Sequence, residues 1–542
     1  MKNLSRNRRL AACLLVFWGA AACDATLVAI QDGGVDAGNS VMGTGGGAGG
    51  GGGGVMLPND DGGAMPSDAG LVTSVHFVQG AAGCQAIGIE NDVNLGGYHT
   101  DRYGWNDDQC QRRTAALVRN NATDPGGSRG GYLRELTWKN GNTDITARGT
   151  NANGWNGWGY VVNHYGNSAA LSKSRMGTFR TVLSGRHHAI HEFKLQMSPG
   201  GPVDVTVQWV FRTGVSHPIY AITYDATPAG PNAVNADTRA PYGELAFEGT
   251  AGAIGGIGWG DKYRFTTTGA GPLTVASSWE YTQANSVPYV RMWSQGSDAE
   301  MGAVQSQSWE QHVAGGDYGS GQLAASCWGK SSANKGANCS AAAQLMPLDW
   351  LWPFQLNQYE LPFTNASHRL AWGSQYGAIG QTNVSAFGKT FSGYPRVSYS
   401  VFMTVGPKSA QTTLKQVEGV ERILGATLTA SEGTVVTSGP AGVGRGDTAV
   451  FSLAGYNPAF ASWDVQTASN RATVTLDAKA GALEKPLLRF NGFTAAQLSK
   501  VTVDGQALAA DTGYFATVDA PSQTVWLTLN GVVSGPAVVH IE

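Results

Sequence analysis

Between Val203 and Arg212 the chain alternates Val203, Val205, Val207, Trp209 and Phe211 with Asp204, Thr206, Gln208 and Arg212. Successive side chains of an extended backbone point to opposite faces, so a period of two writes a strand with one apolar face. A second run repeats the pattern, with Val397, Tyr399, Val401, Met403 and Val405 alternating with Ser398, Ser400 and Thr404. Helical periodicity is scarce, and its best stretch is Thr412 to Leu424. With 76 glycines, 16 tryptophans and only 14% charged residues, the chain is suited to sheets and tight turns rather than solvated helices. The expectation is an all-β fold: a large antiparallel β-sandwich or supersandwich over 73–424, followed by a smaller C-terminal β-sandwich over 425–542. In that second part Asp504-Gly505 and Asn530-Gly531 are dipeptides that suit two-residue hairpins with positive φ.

The first residues read differently. Lys2, Arg6, Arg8 and Arg9 precede an apolar run, Leu10 to Ala22, that is too short to cross about 30 Å of hydrocarbon as a mature helix. Residues 1–22 are read as a signal peptide. Ala20, Ala21 and Ala22 before Cys23 resemble the lipobox of bacterial lipoproteins, although Ala20 stands where that family usually has a branched residue. The resemblance implies that Cys23 is lipidated and becomes the first mature residue. The cysteine count agrees, because loss of Cys13 leaves Cys23, Cys84, Cys110, Cys327 and Cys339, an odd set for an oxidising compartment. Acylation of Cys23 leaves two local pairs, Cys84 with Cys110 and Cys327 with Cys339. Residues 23–72 carry the glycine run Gly43–Gly54 and read as a flexible tether, since they bury too little apolar surface to offset ordering entropy. The expected location is the cell envelope, periplasmic or outer surface, with the membrane reached through the N-terminal lipid.

A net charge of −3 leaves no basic field for a phosphate backbone, so nucleic acid is not an expected partner. The richest polar segment is Arg186-His187-His188-Ala189-Ile190-His191-Glu192-Phe193-Lys194. On a strand, His188, Glu192 and Lys194 share a face with Ile190, where an imidazole and a carboxylate can act as base and acid. His187 and His191 share the other face with Phe193, about 13 Å apart, too far to share a metal. A second cluster combines Trp155, Trp158, Tyr160, Asn163, His164 and Tyr165. Rings of this kind stack on sugar faces, while amide and imidazole groups bond hydroxyls; in a core they simply fill volume. A His or Tyr base beside Asn or Arg suits elimination from a uronate, for which Asn163, His164, Tyr165 and Arg186 are the right types. Hydrolysis instead needs two carboxyls about 5 to 5.5 Å or 6.5 to 9.5 Å apart, for which Glu192, Glu244, Glu248 and Asp261 are candidates. The segment Arg239 to Tyr263, with Tyr242, Glu244, Trp259 and Asp261, has the composition of a cleft-lining loop. Asp101, Asn106, Asp107 and Asp108 offer oxygen donors for a structural calcium; no other cofactor is expected.

With these clusters in view, the body from 73 to 542 broadly resembles the large β-sandwich modules of secreted carbohydrate-active enzymes, including mutarotase-like supersandwiches with an appended small β-domain. What the resemblance implies is a surface-tethered monomer that acts on a polysaccharide or other glycan, as a lyase or glycoside hydrolase. The alternative is a noncatalytic glycan- or envelope-binding lipoprotein. Cys23→Ser is expected to abolish fatty-acid labelling and move the protein from the membrane to the soluble fraction; continued labelling of that variant would remove the anchor from this reading.

Overall fold

The computed structural model describes residues 76–80, 82–119, 130–149, 157–163, 177–197, 202–229, 238–243, 245–249, 254–260, 266–268, 278–279, 287, 289–306, 321–322, 396–436, 455–457 and 459–542. The run Val203–Arg212 forms one strand of a nine-stranded antiparallel sheet. Across that sheet the order is Thr266–Thr268, Ile254–Gly260, Tyr289–Ser294, Ala299–Gln305, Arg396–Pro407, Ile219–Asp225, Val203–Arg212, His188–Met197 and Thr178–Ser184. An eight-stranded sheet runs Thr238–Gly243, Trp158–Asn163, Leu133–Asn140, Arg112–Val118, Tyr98–Asn106 and Gly88–Leu95, with Thr143–Arg148 and Ala246–Phe247 off this path.

The apolar face predicted from alternation is the one these two sheets share. Val203, Val205, Val207, Trp209 and Phe211 are all buried. Phe211 stacks on Tyr103 of the facing sheet at 4.8 Å, and Trp158 meets Trp209 and Tyr220 edge-on at 5.8 Å each. These offset and T-shaped contacts are the geometry aromatic quadrupoles favour. Gly131, at φ 79°, lets the chain pass over Phe193: a Cβ there would sit 2.6 Å from that ring.

The second face keeps the expected half-buried character at Asp204, Thr206 and Gln208 and departs from it at Val210 and Arg212, where it is covered as well. Ile190, Val210, Ile219, Val304 and Phe402 join one apolar core with Val417 and Val420 of the helix Thr412–Gly425 and with the C-terminal strands. Polar side chains in the covered part of this face are therefore buried and must bond internally. Ser400 meets the Ser306 hydroxyl at 2.5 Å, and Thr404 meets that of Thr413 at 2.9 Å. The helix begins at Gln411, which makes no side-chain cap bond. The buried Glu300 carboxylate replaces that cap, accepting from the Thr413 amide at 2.8 Å and from Arg291 at 3.1 Å.

Two further six-stranded sheets complete the C-terminal part, in the orders Thr427–Glu432, Ala472–Glu484, Gly531–Ile541, Val501–Val503, Gln506–Ala507 and Thr434–Val435, Ser462–Gln466, Leu487–Asn491, Thr524–Leu529, Tyr514–Asp519, each with one short strand off its path. Among the described strands, Ser462–Gln466 with Leu487–Asn491 is the one parallel pair. Asp504 and Gly505, at φ 52° and 77°, turn the expected hairpin, pairing Val503 with Gln506. Asn530-Gly531 does not. It carries the chain from one sheet to the other, since Thr524–Leu529 and Gly531–Ile541 pair with different partners. The glycine is needed there for proximity rather than for φ. The strand Phe77–Gln79 pairs with Gly531–Val533, and a Cβ on Gly531 would meet the Val78 carbonyl and lie 2.6 Å from the Phe77 ring.

The expected Cys84–Cys110 disulfide is present, with Cα atoms 4.6 Å apart; Cys327 and Cys339 lie outside the described residues, as does Cys23. Thr73–Glu542 forms one compact unit. Gly531→Val is expected to destabilise the protein by about 1–3 kcal/mol through this overpacking, whereas Gly505→Asn, at an exposed turn, is expected to cost less than about 1 kcal/mol; chemical denaturation of the two variants compares them.

Candidate functional site

The polar segment lies where the nine-stranded sheet meets the C-terminal sheets, and the strand His188–Met197 separates its side chains by face as alternation requires. His188 points toward the C-terminal part, fully buried, with Nδ1 3.1 Å from the Thr517 hydroxyl and Nε2 2.9 Å from that of Thr528. Burial, reinforced by the nearby Arg212 and His187, holds its pKa well below the ordinary histidine value. It is a neutral ring with both nitrogens engaged.

Glu192 is four residues further along the same face and does not meet His188. It is the register partner of Arg180 on one side and Gln208 on the other. Its carboxylate accepts from Arg180 at 2.9 Å and from Gln208 at 2.8 Å, with Lys194 at 3.3 Å. Cross-strand pairs of this kind stabilise a sheet, and here they occupy the carboxylate. His191 faces the eight-stranded sheet, 3.2 Å from the Tyr103 hydroxyl, which also meets Thr181 at 2.6 Å.

What the fold does bring together is Arg186, His187, Thr213 and Asp511. Asp511 lies 324 positions from His187 and touches its Nε2 at 2.6 Å, while Arg186 reaches the other carboxylate oxygen at 2.6 Å. A carboxylate only accepts, so His187 Nε2 carries the proton and Nδ1 accepts from Thr213, 3.1 Å away. Arg186 Nε also lies 3.2 Å from His187 Nε2, but the shorter charge-assisted contact decides the tautomer. His187 is buried against Phe515, whereas Arg186 and Asp511 have side chains 64% and 41% exposed. Burial lowers the His187 pKa and Asp511 opposes this, and the hydrogen bond between them spans the seam. Asp511 is in no local pattern with the histidines, and only its left-handed turn position, φ 64°, marks it.

Trp158 is enclosed by Trp209 and Tyr220, a core position with no free ring face. Trp155, His164, Tyr165, Glu244 and Asp261 lie outside the described residues, and Asn163 and Trp259 are described as strand positions only. At the level of backbone, two of the sequence clusters converge. Thr238–Gly243 is the terminal strand of the eight-stranded path and pairs with Trp158–Asn163, matching Thr238 with Asn163, Arg239 with Val162 and Tyr242 with Tyr160. Its register shifts between Arg239 and Tyr242, where Pro241 lacks a donor and fits an edge. Glu248, the remaining carboxyl candidate, pairs with Arg148 at 3.0 Å.

The acidic loop near Cys110 is internally bonded. Asp107 holds the buried Arg113 at 3.0 Å and the amides of Gln109 and Gln111; Asp101 pairs with Arg119 at 3.0 Å; Asp108 accepts from Ser216 at 2.6 Å. Asn106 donates to the Cys110 carbonyl at 2.6 Å. Among the described residues no three His, Cys, Asp or Glu side chains are grouped as a metal requires.

No protein-family model and no curated protein matches this sequence. Among solved structures, the chain is similar to the GalM/aldose epimerase homologue from C. elegans, at 10% identity and a TM-score of 0.29, over 59% of this chain and 99% of that one.

The buried histidines make stability depend on pH. Burial holds His191 and His217 down to about 3, with Arg119 and Arg113 respectively adding to it. In the unfolded chain both titrate near 6.5. Between about pH 6.5 and about 3 the unfolded chain thus binds more protons, so this stability is fully present above that window and is lost as pH falls through it. The urea midpoint is expected to drop from about pH 7 to about pH 4, with a shallower slope in His191→Gln; equal slopes in both proteins would count against the assignment.

Proposed function

We propose that this chain is a lipid-anchored, exported carbohydrate-active protein whose head binds and cleaves a polysaccharide at the edge formed by Trp158–Asn163 and Thr238–Gly243. The observation that carries the reading is their pairing, which sets Asn163 beside Thr238, Val162 beside Arg239 and Tyr160 beside Tyr242. These strands hold ring, amide and guanidinium groups, and the sequence next to them adds the His164 imidazole and the Glu244 carboxyl, the types that grip a sugar ring and move its protons. On this reading His164 or Tyr165 is the base, Asn163 and Arg239 bind the acidic or hydroxyl groups of the substrate, and Trp155 supplies a ring face, whereas Trp259 belongs to a strand of the nine-stranded sheet. Glu244 and Asp261 are the carboxyls on which hydrolysis would depend. His188 and Glu192 then serve the scaffold, since their polar atoms are engaged in the contacts described above. The glycine-rich tether gives the head reach from its anchor.

A noncatalytic glycan binder is the second reading, favoured by the internal engagement of Arg186, His188 and Glu192. Purified protein incubated with neutral and uronate-bearing polysaccharides separates the two. Cleavage is expected to release reducing ends, with the ultraviolet absorbance of an unsaturated uronate if the step is elimination. His164→Ala is expected to lower kcat/KM by about 10²–10⁴-fold, leaving the unfolding midpoint in place. Retention of a polymer without product, unchanged in that variant, would establish the binder; neither binding nor product on any polymer would sink both.

A further inference from the structure

Arg212 closes the strand Val203–Arg212 as the register partner of His188, on the face covered by the C-terminal part. The residue is only 8% exposed, its Nη1 has no hydrogen-bond partner, and no described carboxylate lies within ion-pair distance. Of the other buried guanidinium groups, Arg113 is matched by Asp107 at 3.0 Å and Arg291 by Glu300 at 3.1 Å, and Arg134 donates to the Gly149 carbonyl at 2.5 Å. An unmatched buried charge costs several kcal/mol, more than a nearby dipole returns. The groups around Arg212 do not supply the missing charge. His188 is neutral and already bonded to two threonine hydroxyls. The Tyr456 phenol, on which Arg212 acts electrostatically, donates to the Ser306 carbonyl at 3.0 Å and has its own ionisation pushed up by burial. Trp526, 4% exposed, places its ring 6.2 Å from that of His188, and its indole N–H is also without a partner. The seam is rich in donors and short of negative charge.

We propose that Arg212 holds a small monovalent anion of the halide class at this seam, with the Trp526 indole N–H as a further donor, so that docking of the C-terminal sheets on the nine-stranded sheet is anion-linked. Burial of the guanidinium beside a neutral imidazole selects a weakly hydrated ion, because chloride or bromide is cheaper to desolvate than fluoride, and a dianion would exchange one unmatched charge for another. The site is buried and separate from the sheet edge assigned to glycan.

A ligand that binds only the folded state raises the unfolding midpoint in proportion to the logarithm of its concentration once it exceeds its dissociation constant. The full-length protein is expected to melt a few degrees higher in sodium chloride or bromide than in sodium fluoride or gluconate at matched ionic strength. Arg212→Met is expected to lose this difference and to be at least as stable as the parent in gluconate, since it removes the unmatched charge. Crystals grown in bromide are expected to show an anomalous peak within hydrogen-bond distance of the guanidinium, and this measurement on the unaltered protein decides the matter if Arg212→Met fails to fold. Equal midpoints in chloride and gluconate, or a bromide map in which only water lies against Arg212, would overturn the proposal.

Discussion

The nine-stranded sheet is buried on one face and, where the C-terminal sheets and the helix cover it, on the other, and most of the molecule follows from meeting that constraint. One face is filled by large rings, where Tyr103, Trp105 and Trp158 interlock with Trp209, Phe211 and Tyr220. The other is mixed, and every polar side chain on it needs a partner, because a buried orphan costs about as much as a lost hydrogen bond. Glu300 caps a helix, Ser400 and Thr404 bond hydroxyls, and His188 bridges two threonines. At Arg212 the solution is incomplete, since Nη1 of this buried guanidinium has no hydrogen-bond partner.

The C-terminal sheets supply many of those partners, and the chain ties them down at long range. The strand Phe77–Gln79 pairs with Gly531–Val533, Arg186 and His187 share Asp511, and Lys485 donates to the Asp108 carbonyl at 3.2 Å. The histidines that look most reactive in the sequence are thus structural bolts, neutral through burial. This shifts the functional reading to Thr238–Gly243, the terminal strand of the eight-stranded path among the described residues. An edge strand with a register shift and a proline resists pairing with another chain.

Local pattern was legible where geometry alone decides the outcome. The alternation at Val203–Arg212 is one strand, the helical period near Thr412 is the helix Thr412–Gly425, and Asp504-Gly505 is a two-residue turn. Asn530-Gly531 carries the same kind of turn chemistry yet crosses between sheets, because a dipeptide specifies allowed dihedrals and not which strand lies next. The face assignment of His188 with Glu192 held as a periodicity, but their meeting did not follow, since four residues of extended chain place them about 13 Å apart. Trp158 shows the limit for aromatics: sugar platform and core filler have the same composition, and only its contact with Trp209 and Tyr220 separates them.

By itself, then, the sequence determined the β-class, the periodicity of its strands, the position of its helix and the Cys84–Cys110 loop, because each depends on dihedral preference or on neighbours close along the chain. Tertiary structure alone decided which face of a strand meets protein rather than water, that Asp511 answers His187, and that Arg212 is enclosed without a matching acid. Those outcomes depend on desolvation and on contacts between residues hundreds of positions apart, and no local pattern encodes a partner that distant.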